Sequence, residues 1–138
     1  MVTLWKLAPS VLAMALPVMF LEGCGAPATR KLMSVTISPS AADAKDYPGG
    51  VVPFVATGHY NTSPYEVTPL QATWGASTYP AKIASVTQNG MATCSKGASG
   101  TTVVEAWVVT ATGPVCNVID SAGRPCGSVG ASVNLNCP

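Results

Sequence analysis

Five cysteines, a single histidine and a handful of acids are the groups in this 138-residue sequence that could do chemistry. Cys24, Cys94, Cys116, Cys126 and Cys137 contain no Cys-x-x-Cys pair, and His59 is distant in sequence from the last four. That is not the spacing of a zinc site. Setting Cys24 aside, the other four cysteines of so small a chain predict two disulfides if it is exported, with three pairings open. Asp120, Gly123 and Pro125 are turn formers between Cys116 and Cys126, so a bridge there would close a protruding loop. Cys94 is then left for Cys137. In the chain-entropy model such a bond contributes on the order of 4 kcal/mol.

The acids beyond the N-terminal segment are Asp43, Asp46, Glu66, Glu105 and Asp120. Only Asp43 and Asp46 share a loop, and they lack the dense oxygen pattern of a calcium site. Catalytic carboxylates must converge, and nothing in the spacing brings the others together, so all are expected to be solvated surface charges. Strand alternation turns His59 outward if Phe54, Ala56 and Tyr60 face in, and no sequence motif gives it a nucleophile or an orienting acid. No G-x-S-x-G, phosphate loop or H-E-x-x-H occurs. No catalytic residue, cofactor or metal is expected, and the chain reads as a non-enzyme. Trp107 is the one candidate for partner binding. With Val104, Ala106 and Val108 toward the core, Glu105 and Trp107 face out, and an exposed Trp can anchor a protein or glycan partner. The other register buries Trp107 and exposes Val104 and Val108.

The N-terminus has the shape of a targeting segment. Met1 to Lys6 carries one positive charge, and Leu7 to Leu21 is apolar apart from Ser10, with Pro9 and Pro17 inside it. At about 15 residues it is short of the roughly 20 that span a bilayer as a helix. It is therefore expected to be a cleaved signal peptide. Two cleavage sites compete. Leu21-Glu22-Gly23-Cys24 resembles a bacterial lipoprotein signal, which makes residues 1–23 the leader and Cys24 the lipidated residue, although Glu22 departs from that pattern. Ala26-Pro27-Ala28 is an A-x-A match, which makes residues 1–28 the leader and discards Cys24. An acyl chain gains about 0.8 kcal/mol per buried methylene and would tether the protein to a membrane without a protein span. Localisation is expected to be the cell envelope, or secretion.

The elements that position these groups are strands. Apolar residues make up 48% of the chain and charged residues 9%, against about 25% charged in an ordinary globular protein. No basic stripe marks a nucleic-acid surface. Val35 and Ile37 alternate in Leu32 to Ser38, which Pro39 ends. Ala41 to Gly50 reads as a loop, and Val51 to Tyr60 as a strand with Phe54, Ala56, Gly58 and Tyr60 on one face. Val67 to Trp74 carries Leu70, Ala72 and Trp74 on one face. Ala84 to Thr87 and Gly90 to Cys94 flank an Asn-Gly turn and form a hairpin. Thr101 to Thr110 and Val129 to Leu135 complete an all-β chain of about seven strands, the pattern of a β-sandwich. Residues 24–31 are expected to be linker and 32–138 one domain.

From about Met33 to Val109 the chain resembles the bacterial immunoglobulin-like domain, group 2, of intimin- and invasin-type adhesins. The resemblance rests on Ser34-Val35-Thr36-Ile37-Ser38-Pro39 and on Phe54-Val55-Ala56-Thr57-Gly58. It continues through Ala72-Thr73-Trp74, Ile83-Ala84-Ser85-Val86, Asn89-Gly90-Met91-Ala92-Thr93 and Gly100-Thr101-Thr102-Val103-Val104-Glu105-Ala106. The Cys116–Cys126 loop departs from the family's common pattern. The resemblance implies an immunoglobulin-like sandwich and a non-enzymatic module for adhesion, attachment or structural interaction at the envelope. The alternative is a secreted ligand-binding protein acting on a glycan or protein through the Cys116–Cys126 loop and Trp107.

Overall fold

The computed structural model describes residues 29–110 and 119–138. Cys24, the leader segment and Cys116 lie outside the described residues. Among those described there are ten strands and two short 3-10 turns. The strands are β1 (Leu32–Ser38), β2 (Ala41–Asp43), β3 (Val51–Pro53), β4 (Val55–Tyr60), β5 (Glu66–Val67), β6 (Thr73–Ala76), β7 (Ala84–Val86), β8 (Met91–Cys94), β9 (Gly100–Val109) and β10 (Ser128–Cys137). None of the described helices is long and apolar enough to cross a membrane.

The strands form three sheets, in the orders β1-β4-β5, β2-β10-β9-β6 and β3-β8-β7. Their apolar faces bury one common core, as the period-2 pattern requires. Val52, Phe54, Val104 and Leu135 are its largest fully buried side chains, and Trp74 packs among them. A buried side chain of this size contributes roughly 1.5–3 kcal/mol.

The count exceeds the expected seven because three elements come from tertiary pairing and not from apolar alternation. β2 lies in the segment expected to be a loop and has only Ala-Ala-Asp to offer. It is a strand because it pairs in parallel with Asn134 to Asn136 of β10. The expected strand over residues 51–60 divides at Phe54, where the chain changes partner from β8 to β1. The Phe54 amide donates to the Gly90 carbonyl at 2.9 Å across that change. β5 is a two-residue edge on β4.

The Asn89-Gly90 hairpin is present, with Gly90 at φ +79°. A Cβ there would meet the Phe54 carbonyl oxygen, so only glycine suits both the turn and the close approach. The same turn serves a second purpose. Gln88 reaches across to the outer edge of β6, accepting from the Trp74 amide at 3.2 Å and donating to the Trp74 carbonyl at 3.3 Å.

The Cys94–Cys137 disulfide joins the end of β8 to the end of β10, linking two sheets, with a Cα–Cα distance of 5.7 Å. Cys126 is also disulfide-bonded.

Candidate functional site

The outer face of the four-stranded sheet carries the densest polar arrangement among the described residues. It is built on β9. Val104 and Ala106 are fully buried, and Val108 packs against the core. Strand alternation therefore points Glu105 and Trp107 to the other face, in the register that exposes them in the sequence reading. The expected exposure of Trp107 is nevertheless overturned: it is only 5% exposed.

The cover comes from the segment after residue 118. Ile119 bridges Pro125, and residues between them fold back over β9 and β6. Trp107 lies between two glycines of neighbouring strands, its ring against Gly75 and its Cα and Cβ against Gly130. Gly130 of β10 is directly opposite Trp107, and Gly75 of β6 pairs with Glu105, two residues away. A Cβ on Gly75 would stand 2.9 Å from the ring and collide with the Ala122 carbonyl. One on Gly130 would stand 2.8 Å from the Trp107 Cβ. Gly75 is small because the indole and the Ala122 carbonyl fill its space, and Gly130 because the Ala106 carbonyl and the Trp107 Cβ and Cα fill its own. Trp107 thus shapes the loop and does not offer a solvent-exposed aromatic anchor.

Asp120 organises that loop. Its Oδ1 accepts from the amides of Ala122 (3.0 Å) and Arg124 (2.9 Å), a local turn of the kind Asp favours. Ser121 fastens the loop to the end of β6. Its hydroxyl is 2.9 Å from that of Ser77, and its carbonyl accepts from the Thr78 hydroxyl and amide, both at 3.0 Å. Arg124 donates through Nε and Nη2 to Ser128 at the start of β10.

Beneath the loop, Glu105 lies beside Asp120, against the expectation that it is a separate, solvated charge, while Asp120 itself stays exposed. The Glu105 side chain is 14% exposed, and Arg124 Nη1 is 3.9 Å from its Oε2. Oε2 is buried without a hydrogen-bond partner. Burial, then the charge and hydrogen bonding of Asp120, hold the Glu105 carboxyl above its ordinary pKa, with Arg124 acting weakly the other way. Two ionised carboxylates can only accept and repel each other, which is the second cause of the raised Glu105 value.

The other candidates are dispersed. His59 is half-exposed, 3.0 Å from the Thr36 hydroxyl and 3.2 Å from Glu66. Asp43 pairs with Lys45 at 3.1 Å and accepts from Asn136 at 2.9 Å, contacts that lower its pKa. Among the described residues no group of three or more His, Cys, Asp or Glu is placed to hold a metal ion.

A second polar cluster sits where the described chain begins. Asn61 accepts from the Lys31 amide at 2.7 Å, donates through its side chain to the Thr29 carbonyl at 3.3 Å, and donates its own amide to the Lys31 carbonyl. Arg30 stacks 3.8 Å above the Tyr60 ring and donates to the Pro64 carbonyl at 2.9 Å. Residues 29–31, expected to be linker, are thus bound to the β4–β5 turn. An open cleft of about 390 Å³ lies here, lined by residues 29–32, Asn61 and Thr110.

Sequence reasoning missed both clusters. Glu105 carried a signal, since it shares the outward face of β9 with Trp107. Asn61 read only as a turn residue. No protein-family model matches the chain, and no curated protein does.

Proposed function

We propose that the chain is an exported immunoglobulin-like module of the bacterial group 2 kind, anchored to the cell envelope through a lipidated Cys24. It serves attachment, adhesion or structural interaction and performs no reaction of its own. The observation that carries this reading is the Cys94–Cys137 bond, because such bonds persist in oxidising compartments and are rare in the cytosol. The segments behind the family resemblance also fall on strands: Ser34 to Ser38 in β1, Thr73-Trp74 in β6, Ala84 to Val86 in β7, Met91 to Thr93 in β8 and Gly100 to Ala106 in β9.

Metabolic labelling with a fatty-acid analogue tests the anchor. The expected outcome is label on the parent chain and none on a Cys24→Ala variant, with the parent in the membrane fraction. An unlabelled parent recovered as a soluble chain would remove the anchor from the reading.

One observation favours a second reading, a secreted glycan- or protein-binding chain. The loop over Trp107 is held by Asp120, Ser121 and Arg124 before any partner arrives, and a preformed loop loses less entropy on binding. In that reading Trp107 supports the loop from below. Ligand binding on a glycan array by the processed chain, abolished by loop substitutions, would favour it over the first.

A further inference from the structure

We propose that the pole of the sandwich formed by residues 29–33, the β4–β5 turn and the end of β9 is a docking face for an anionic phospholipid bilayer. The inference rests on the lipid-anchor reading and specifies how the anchored domain stands.

Three observations converge on this pole. The first is reach. Thr29 is five residues beyond Cys24, which spans at most about 18 Å when fully extended. Asn61 and Arg30 bind residues 29–31 to the β4–β5 turn, so the acyl group cannot swing far from this end. The second is charge. Arg30 and Lys31 are both exposed here. Glu66, next to Tyr65, faces His59. The third is apolar exposure. Met33 is 58% exposed at the start of β1, Tyr65 is 65% exposed in the β4–β5 turn, and Val109 ends β9 exposed beside Thr110 of the cleft. Tyrosine favours the headgroup level, with its ring in the apolar boundary and its hydroxyl in water. One acyl chain holds a protein weakly, and a basic patch is a common second signal.

Met33 and Tyr65 have built-in controls, because Met91 and Tyr79 are also exposed but lie on the β8 sheet and in the segment after β6. The test is hydroxyl-radical footprinting of the full chain as cells process it. It is bound to vesicles of phosphatidylcholine alone or with phosphatidylglycerol. On the anionic vesicles, Met33 and Tyr65 are expected to lose oxidation several-fold while Met91 and Tyr79 do not. The Arg30→Gln/Lys31→Gln double variant should restore oxidation at Met33 and Tyr65. Each cation near such a surface strengthens binding by roughly five-fold, so flotation of the double variant should fall accordingly. Equal oxidation of Met33 and Met91, or protection unaffected by phosphatidylglycerol, would overturn the proposal. Fatty-acid label at Cys24 is read on the same sample. A labelled chain with an unprotected pole defeats the docking face alone, and an unlabelled chain whose pole is still protected defeats only the anchor.

Discussion

Gln88 makes with Trp74 both hydrogen bonds that a neighbouring strand would make, accepting from its amide and donating to its carbonyl. β6 is an edge of the four-stranded sheet, and an open edge is a template for pairing with another chain. One side chain from the β7–β8 turn therefore closes this stretch of edge and ties two sheets together. Gln88→Ala should cost about 1–2 kcal/mol, the net worth of two ordinary hydrogen bonds. It should also raise self-association, read by urea unfolding and by sedimentation at increasing concentration. Unchanged values in both would show that Trp74 does not depend on Gln88.

Trp107→Ala should destabilise the domain by about 3–5 kcal/mol, as for a buried aromatic, although the ring lies outside the main core. Proteolysis should then open the segment around Ser121 before the rest of the domain unfolds. Gly130→Ala should act in the same direction, because its Cβ would crowd Trp107 and the Ala106 carbonyl. A Trp107→Ala variant as stable as the parent and as resistant to protease would show that the loop holds itself.

Glu105 and Asp43 should give pH dependences of opposite sign. The pKa of Glu105 is raised in the folded chain, so its ionisation opposes folding. The parent is favoured below the ordinary carboxylate pKa and loses that advantage as pH rises through the elevated native value. Glu105→Gln should flatten this arm and raise stability near neutrality by about 1 kcal/mol, since the new amide can donate to Asp120 without a proton. Asp43 is depressed by Asn136, then by Lys45. Its contribution is present above the ordinary Asp pKa and is lost as pH falls through the native one, a loss that Asp43→Asn should remove. Melting temperature against pH checks both, and a Glu105→Gln profile parallel to the parent's would refute the raised Glu105 pKa.

Replacing Cys94 and Cys137 together by alanine should cost about 4 kcal/mol for the loop of 43 residues that the bond closes. Denaturant midpoints of the oxidised parent and the double variant measure it. A difference below about 1 kcal/mol would mean that the unfolded chain is already compact around that loop.

Much of the fold was legible where side chains alternate. Val35 and Ile37 in β1, the hairpin around Gly90 and Trp74 in the core follow from local pattern, and the Cys94–Cys137 pair was reached only as the remainder once Cys116 and Cys126 were assigned to a loop. β2 was not legible, because Ala41-Ala42-Asp43 is extended only through its parallel contact with β10. Trp107 was half legible. Alternation indicated the face it points to, but its burial depends on glycines in two other strands and on a loop from later in the chain. The meeting of Glu105 and Asp120 was hidden for the same reason, since the distance between them is bridged by a fold-back that no periodicity encodes.

The two tryptophans of the described domain occupy unlike surroundings: Trp74 is sealed inside the sandwich, while Trp107 lies under the loop that Asp120 and Ser121 hold down. Their fluorescence therefore divides the molecule into two optical channels. With Trp5 removed along with residues 1–23, a Trp107→Phe chain would emit from the interior alone, and a Trp74→Phe chain from the loop. Lifting of that loop by a ligand, by pH or by a lipid surface would then be visible as a change in emission colour while the interior stays dark to the event.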